Sequence, residues 1–257
     1  GRFCNALPCR FFMLEFSEDI PFLWRLSAES GDGFSLVSMV IPFQAGSENH
    51  EHTIPTNVVS FNGDHEKLSE EETLEWNEDD INLFLKLLAE RQHGQIQRLP
   101  DAPSHTFKVD LGDPLTIEIV NIVAAAGFGM ALTVDDLLVA DPGDSRPVLE
   151  PEVGMAITLH TVDGYKRGIV VGCEEAEAEE VVCVLLDCIH LGPCQLHQEH
   201  GHEDGNGDSD GNDIGSAIGG VNEGGDIHAH DLVIVKPHQL LPAHYSSLIP
   251  AASDTLH

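Results

Sequence analysis

The sequence predicts a mostly β chain of the α+β class, and three observations carry that reading. Apolar and polar residues alternate in several short runs, of which Val153, Met155, Ile157 and Leu159 form the clearest. Gly- and Asp-rich breaks such as Gly31-Asp32-Gly33 and Asp163-Gly164 separate those runs at strand-length intervals. Helical period is clear in one window, where Ile81, Phe84, Leu85 and Leu88 fall at i, i+3, i+4, i+7. The chain has 257 residues, 42% of them hydrophobic, enough for one large domain or two small ones with a real core.

Residues 9–16, 34–41 and 57–61 read as strands, with turns at 31–33 and over 47–52. Residues 64–80 hold nine acids and one Lys and lead into a helix over about 78–91. Asn77 is suited to cap it, and Glu78, Asp79 and Asp80 suit the positive end of its dipole. Phe107, Val109 and Leu111 alternate as a half-buried strand. After a turn at 112–114, the second half of 117–126 reads as a short apolar helix ended by Gly127. Residues 133–152 are rich in Asp and Pro and read as a linker. Val153 to Leu159 and Tyr165 to Val171 then form a hairpin about Asp163-Gly164, and the continuous apolar run 181–186 marks a central strand. Residues 199–231 contain nine Gly, nine acids, four His and no Lys or Arg. That composition predicts a disordered insert, because it buries too little surface to offset its ordering entropy. Strand pattern resumes over 230–235, and 240–249 reads as a short helix or turn.

Charge narrows the function. Twelve Lys and Arg against 44 Asp and Glu give a formal charge of −32. Direct binding to a nucleic-acid backbone needs a basic surface, and docking on anionic lipid needs the same, so neither is expected. A negative field attracts basic partners, Arg- or Lys-rich peptides above all. No apolar run reaches the roughly 18 residues of a membrane span. The start, Gly1-Arg2-Phe3-Cys4, carries neither an initiator Met nor a signal-peptide pattern and reads as that of an excised piece. Six Cys fit a reducing compartment better than a disulfide scaffold.

Several short matches, in order, resemble a Tudor domain: Val153-Gly154, then 163–170 (Asp-Gly-Tyr-Lys-Arg-Gly-Ile-Val), Val184-Leu185-Leu186-Asp187, 241–245 (Leu-Pro-Ala-His-Tyr) and Leu248-Ile249-Pro250. Upstream, Trp76-Asn77-Glu78, 107–111 and Asn121 to Phe128 resemble the staphylococcal-nuclease-like half of an extended Tudor module. The resemblance implies a bent Tudor β-barrel joined to a nuclease-like, OB-type barrel by linker helices. It divides the chain into a nuclease-like half over 1–136 with its helix at about 78–91, a linker over 137–152, and a Tudor core over 153–257 carrying the insert 199–231. Residues 22–62 match no part of the family. Leu7-Pro8-Cys9-Arg10-Phe11 is similar to the strand that begins again at Leu248, which implies one module cut from a tandem array.

The resemblance also implies a site. In this family, aromatic side chains at the barrel mouth cage methylated arginine or lysine through cation–π attraction. Here the family's aromatic positions hold Lys166, Leu185 and Cys188, while Tyr165 and, farther off, Tyr245 supply rings. Those five are the candidate ligand-binding residues, as a degenerate cage. Arg167 and Asp187 are implied to form a structural ion pair across adjacent strands. The implied role is a scaffold in ribonucleoprotein or germ-granule assembly and small-RNA silencing. It would bind Arg-rich or methylarginine-containing tails, Argonaute-class proteins among them, in the cytoplasm and in perinuclear granules.

The remaining motifs point away from catalysis and cofactors. Cys183, Cys188, His190, Cys194, His197, His200 and His202 cluster, but C-x4-C-x5-C-x2-H lacks the short paired knuckles of a structural zinc site. Residues 206–211 resemble half an EF-hand loop, yet Ala217 stands where the bidentate Glu belongs. No phosphate loop or nucleophile elbow is present. The expectation is a non-enzymatic protein with no cofactor and no specific metal. The alternative is an acidic metal-responsive protein using the His/Cys/Asp segment 183–230. A direct RNA binder would need its scattered basic residues concentrated in one groove.

Overall fold

The structure, a computed structural model, describes residues 13–16, 21–45, 47–61, 67–92, 107–139, 149–173, 179–191 and 226–245. The described chain is mostly β. In order it runs β1 (Met13–Phe16), β2 (Leu23–Leu26), β3 (Phe34–Ala45), β4 (Glu48–Phe61), β5 (Glu72–Glu75), α1 (Glu78–Gln92), β6 (Phe107–Asp110) and α2 (Pro114–Phe128). It continues through β7 (Ala131–Thr133), β8 (Ala156–Thr161), β9 (Gly164–Cys173), β10 (Val181–Leu185), β11 (Leu232–Val235) and β12 (Leu241–Pro242).

A four-stranded antiparallel sheet has the order β4-β3-β2-β5. Two of its strands escape sequence reading. β2 is only four residues long, and β5 lies in the acidic run with Leu74 as its one apolar side chain. β5 forms because its ladder with β2 sets Leu74 opposite Trp24. β4 begins at Glu48, so most of the expected turn over 47–52 is strand, and the reversal lies between Ala45 and Glu48.

α1 starts on a reciprocal cap. Asp80 N donates to Asn77 Oδ1 at 2.8 Å, and Asn77 N donates to Asp80 Oδ2 at 3.1 Å. Its buried face is Leu83, Phe84, Leu87 and Leu88, with Ile81 and Leu85 only half-buried. The true stripe is therefore rotated from the expected one, because α1 must cover Phe22, Trp76 and α2 together.

α2 is longer than expected. Asp113 caps it by accepting from Leu115 N at 3.0 Å, and Pro114 takes the first turn, where no N–H is needed. Gly127 lies inside the helix and Gly129 follows it with φ −69°, so no left-handed cap exists. Gly129 serves close approach instead, since a Cβ there would stand 2.8 Å from the Ala125 carbonyl and 3.1 Å from Leu232 Cδ1. Ile119, Val120, Ile122, Val123, Ala124 and Ala125 are all fully buried. A helix apolar on every side needs partners all round. α2 finds them in the four-stranded sheet, in α1, and in Ile169, Val184 and Leu232 of a second sheet.

That second sheet has the order β12-β8-β9-β10-β11-β7, antiparallel except for the parallel β11–β7 pair. Its other face gathers a separate core of Ile157, Leu159, Val170, Val181, Cys183, Leu185, Ile189 and Val233. Among the described residues neither ladder closes as a barrel, although one isolated bridge, Leu138↔Thr161, carries the segment after β7 back to β8. Residues 131–139, upstream of the Tudor-like matches, thus belong to the same sheet as 156–242. Of the insert 199–231, residues 199–225 lie outside the described residues. Residues 226–231 are part of the fold, with Ile227 buried and bridged to Ile189. β1 pairs with β6 in a two-stranded ladder.

Candidate functional site: an aromatic cluster at the β8–β9 hairpin

The β8–β9 hairpin closes with Thr161 opposite Gly164 around Val162 and Asp163, and Gly164 takes φ +88°. Thr161 Oγ1 donates to the Gly164 carbonyl at 2.8 Å and accepts from Asp163 N at 3.2 Å, which locks the turn. This register sets His160 opposite Tyr165 and Leu159 opposite Lys166. Residues directly opposite share a face, and successive residues do not. Tyr165 therefore lies with His160 and Arg167 on one face, and Lys166 lies with Leu159 on the other.

On the first face the His160 and Tyr165 rings stack at 4.5 Å and 21°. Tyr245 meets Tyr165 edge-on at 5.5 Å and 60°. It is brought there by the reversal after β12, where His244 has φ +61°. Val139 N donates to the His160 carbonyl at 2.8 Å, and both Val139 and Val162 are exposed.

The five candidates do not converge. Tyr165 and Tyr245 touch. Lys166 is only 14% exposed and its Nζ lies 2.7 Å from Asp163 Oδ2. Leu185 is fully buried in the second core and lines no opening. Cys188 is half-buried. His160 is absent from the expected site because a turn at Asp163-Gly164 would set 160 opposite 167; the hairpin turns one residue earlier, at Val162-Asp163, and so sets 160 opposite 165.

Arg167 and Asp187 form a forked pair. Asp187 accepts from Arg167 Nη2 at 2.7 Å, from Nε at 3.0 Å and from the Arg167 backbone N at 2.8 Å. Those bonds hold the Asp187 carboxyl below its usual range and push the guanidinium up. Asp163 is held low by Lys166 and by the His190 N–H, which donates to it at 2.9 Å. Asp226 is held low by His190, whose Nδ1 lies 2.9 Å away, and also accepts from Leu191 N at 3.1 Å. Three carboxylates are thus kept ionised around the hairpin, each on a named partner.

Burial pushes the Cys183 thiol up to about 12, so it is neither a nucleophile nor a ready metal ligand. Cys194, His197, His200 and His202 lie outside the described residues, as does the EF-hand-like stretch. Among the described residues no group of three His, Cys, Asp or Glu side chains is placed to hold a metal. Among them, too, no helix is long and apolar enough to cross a membrane. What the cluster offers chemically is π-surface for a cation, set in a strongly negative chain. Compared with known proteins, the chain matches no family model, no curated protein and no solved structure.

Proposed function

We propose that the chain is a non-catalytic interaction module of extended Tudor type that takes Arg-rich protein tails, methylated or not. The single observation that carries the reading is the His160–Tyr165–Tyr245 cluster at the hairpin end of a chain with formal charge −32. A guanidinium gains from stacking on such rings, and the field of the whole molecule draws it in. The order of short motifs that resembles a Tudor core adds support. The wider role follows from that resemblance: a scaffold in ribonucleoprotein or germ-granule assembly and small-RNA silencing, in the cytoplasm and perinuclear granules.

The chemistry of the cluster sets its specificity. Lys166 and Leu185 share the face opposite Tyr165, so no closed ring of aromatics surrounds a ligand. Binding then depends on one stack and on charge, with little selection between methylated and unmodified arginine. The test is titration of Arg-Gly peptides, unmodified and dimethylated, at low and high salt. Affinity should fall steeply with salt, because exposed charges are screened beyond about 8–10 Å. Tyr165→Ala should weaken binding about three- to tenfold at low salt. No binding of either peptide at low salt, or binding indifferent to Tyr165→Ala, overturns the reading. A salt-resistant preference for the methylated form above about tenfold would instead require a complete cage.

A further inference from the structure

The hairpin between β3 and β4 is inside out at one end. Ser35 and Ser60 are direct cross-strand partners, and both face the core, at 0% and 8% exposure. The rungs on either side, Phe34↔Phe61 and Leu36↔Val59, put four apolar side chains on the outer face. Leu36 is 65% exposed and Phe61 51%, with Phe34 packed on Phe61 at 5.2 Å. Strands of a half-buried sheet normally carry the reverse pattern, and a contiguous exposed apolar patch marks an interaction surface.

Charge identifies the occupant. Phe61 Cε2 and Glu29 Oε1 lie 3.4 and 3.9 Å from the one point where a side chain on Gly33 would begin, so a carboxylate borders the patch. Strand register puts Glu51 and Glu75 on the same outer face, and Arg25 ties Glu51 to Glu71 beside them. A second copy of this chain would bring another −32 against that face. We infer that the outer face of the four-stranded sheet docks a basic partner segment. Its bulky apolar residues would sit on Phe34, Leu36, Val59 and Phe61, and its Lys or Arg residues on the bordering acids. This surface is separate from the hairpin cluster and does not rest on the function proposed for it.

The test uses the full chain and a fluorescent synthetic peptide of alternating Lys and Leu, with Lys–Ser and Glu–Leu counterparts. Leu36→Glu separates apolar anchoring from charge, because it adds a negative charge while removing the anchor. Docking through the patch predicts at least about a tenfold loss for Leu36→Glu and a similar loss for Phe61→Ala. Met130→Glu, at another exposed apolar site, should leave Lys–Leu binding unchanged. Circular dichroism and melting temperature check that each variant folds. The inference is overturned if Leu36→Glu binds the Lys–Leu peptide as well as or better than the wild type, or if Lys–Ser binds as tightly as Lys–Leu. It is also overturned if the patch proves to hold two copies together, seen as a dimer that Leu36→Glu dissociates.

Discussion

Asp187 accepts from the side chain and the backbone of Arg167 at once, so it fixes both the charge pair and the start of the β9–β10 ladder. The Arg167 side chain is 60% exposed, so screening discounts the charge term, and the bonds are worth roughly 1 kcal/mol in all. Asp187→Asn should cost about that much at pH 7 by chemical denaturation. Because the folded carboxyl titrates below its unfolded value of roughly 3.9, this stability is present above that pH and lost as pH falls through the folded pKa. The difference between wild type and variant should therefore vanish in acid; a constant gap would exclude the ion pair as its source. Asp80 runs the other way. Burial pushes its carboxyl up, while Oδ2 accepts from Trp24 Nε1 at 3.2 Å and from Asn77 N at 3.1 Å. The neutral form is favoured in the fold, so its contribution is complete below the unfolded pKa and lost as pH rises through the folded one. Since one oxygen takes both bonds, Asp80→Asn keeps them and should flatten the pH dependence of stability. Asp80→Ala leaves the Trp24 N–H unpaired in the core and should cost about 1–3 kcal/mol at pH 7.

At the scale of elements, α1 shows what periodicity can and cannot report. Asn77, the acidic first turn and the helix limits were all legible, because caps and apolar spacing are local properties of the chain. The centre of the buried face was not, since Ile81-Phe84-Leu85-Leu88 and Leu83-Phe84-Leu87-Leu88 are equally good stripes one step apart on the helix. Only the position of Trp76, Phe22 and α2 selects between them. Phe84→Ala should accordingly cost about 3–5 kcal/mol, with Leu85→Ala well below it, as measured by urea unfolding. Equal losses at the two positions would return the stripe to its expected rotation. α2 departs from its expected limits for a related reason. Gly127 and the sequence around Pro114 carry the ordinary marks of helix ends, yet Pro114 starts the helix and Gly127 stays within it. The end comes at Gly129, where the helix must pass Leu232 at a distance that leaves no room for a side chain.

In the whole molecule, α2 is the shared wall of both sheets. Ile169, Val184 and Leu232 of the six-stranded sheet belong to the same core as Trp24, Met39 and Phe84. Asn57 adds polar ties: its backbone N–H donates to Asn121 Oδ1 at 3.2 Å, and its side chain meets His230 Nδ1 at 3.1 Å. Both tryptophans, Trp24 and Trp76, report on the first core alone. If the sheets unfold as one unit, Leu159→Ala in the second core should lower the midpoint of the tryptophan-fluorescence transition, with a loss of about 2–5 kcal/mol. An unchanged fluorescence midpoint, with a shift seen only by circular dichroism, would show two independent units.

The sequence alone determined the class of the protein, most of its strands, the helix after Asn77 and a reversal at Asp163 that lies one residue from where it was expected. Each is a matter of neighbours along the chain or of faces that alternate with a fixed period. Tertiary structure decided the rest: that β7 runs parallel to β11, that 131–139 joins the second sheet, that Tyr245 folds onto Tyr165, and that Phe34, Leu36, Val59 and Phe61 face outward. Alternation divides a strand into two faces without saying which one meets the core. That choice belongs to the sum of packing over distant segments, and at Ser35 and Ser60 it buries the polar face and leaves the apolar one on the surface.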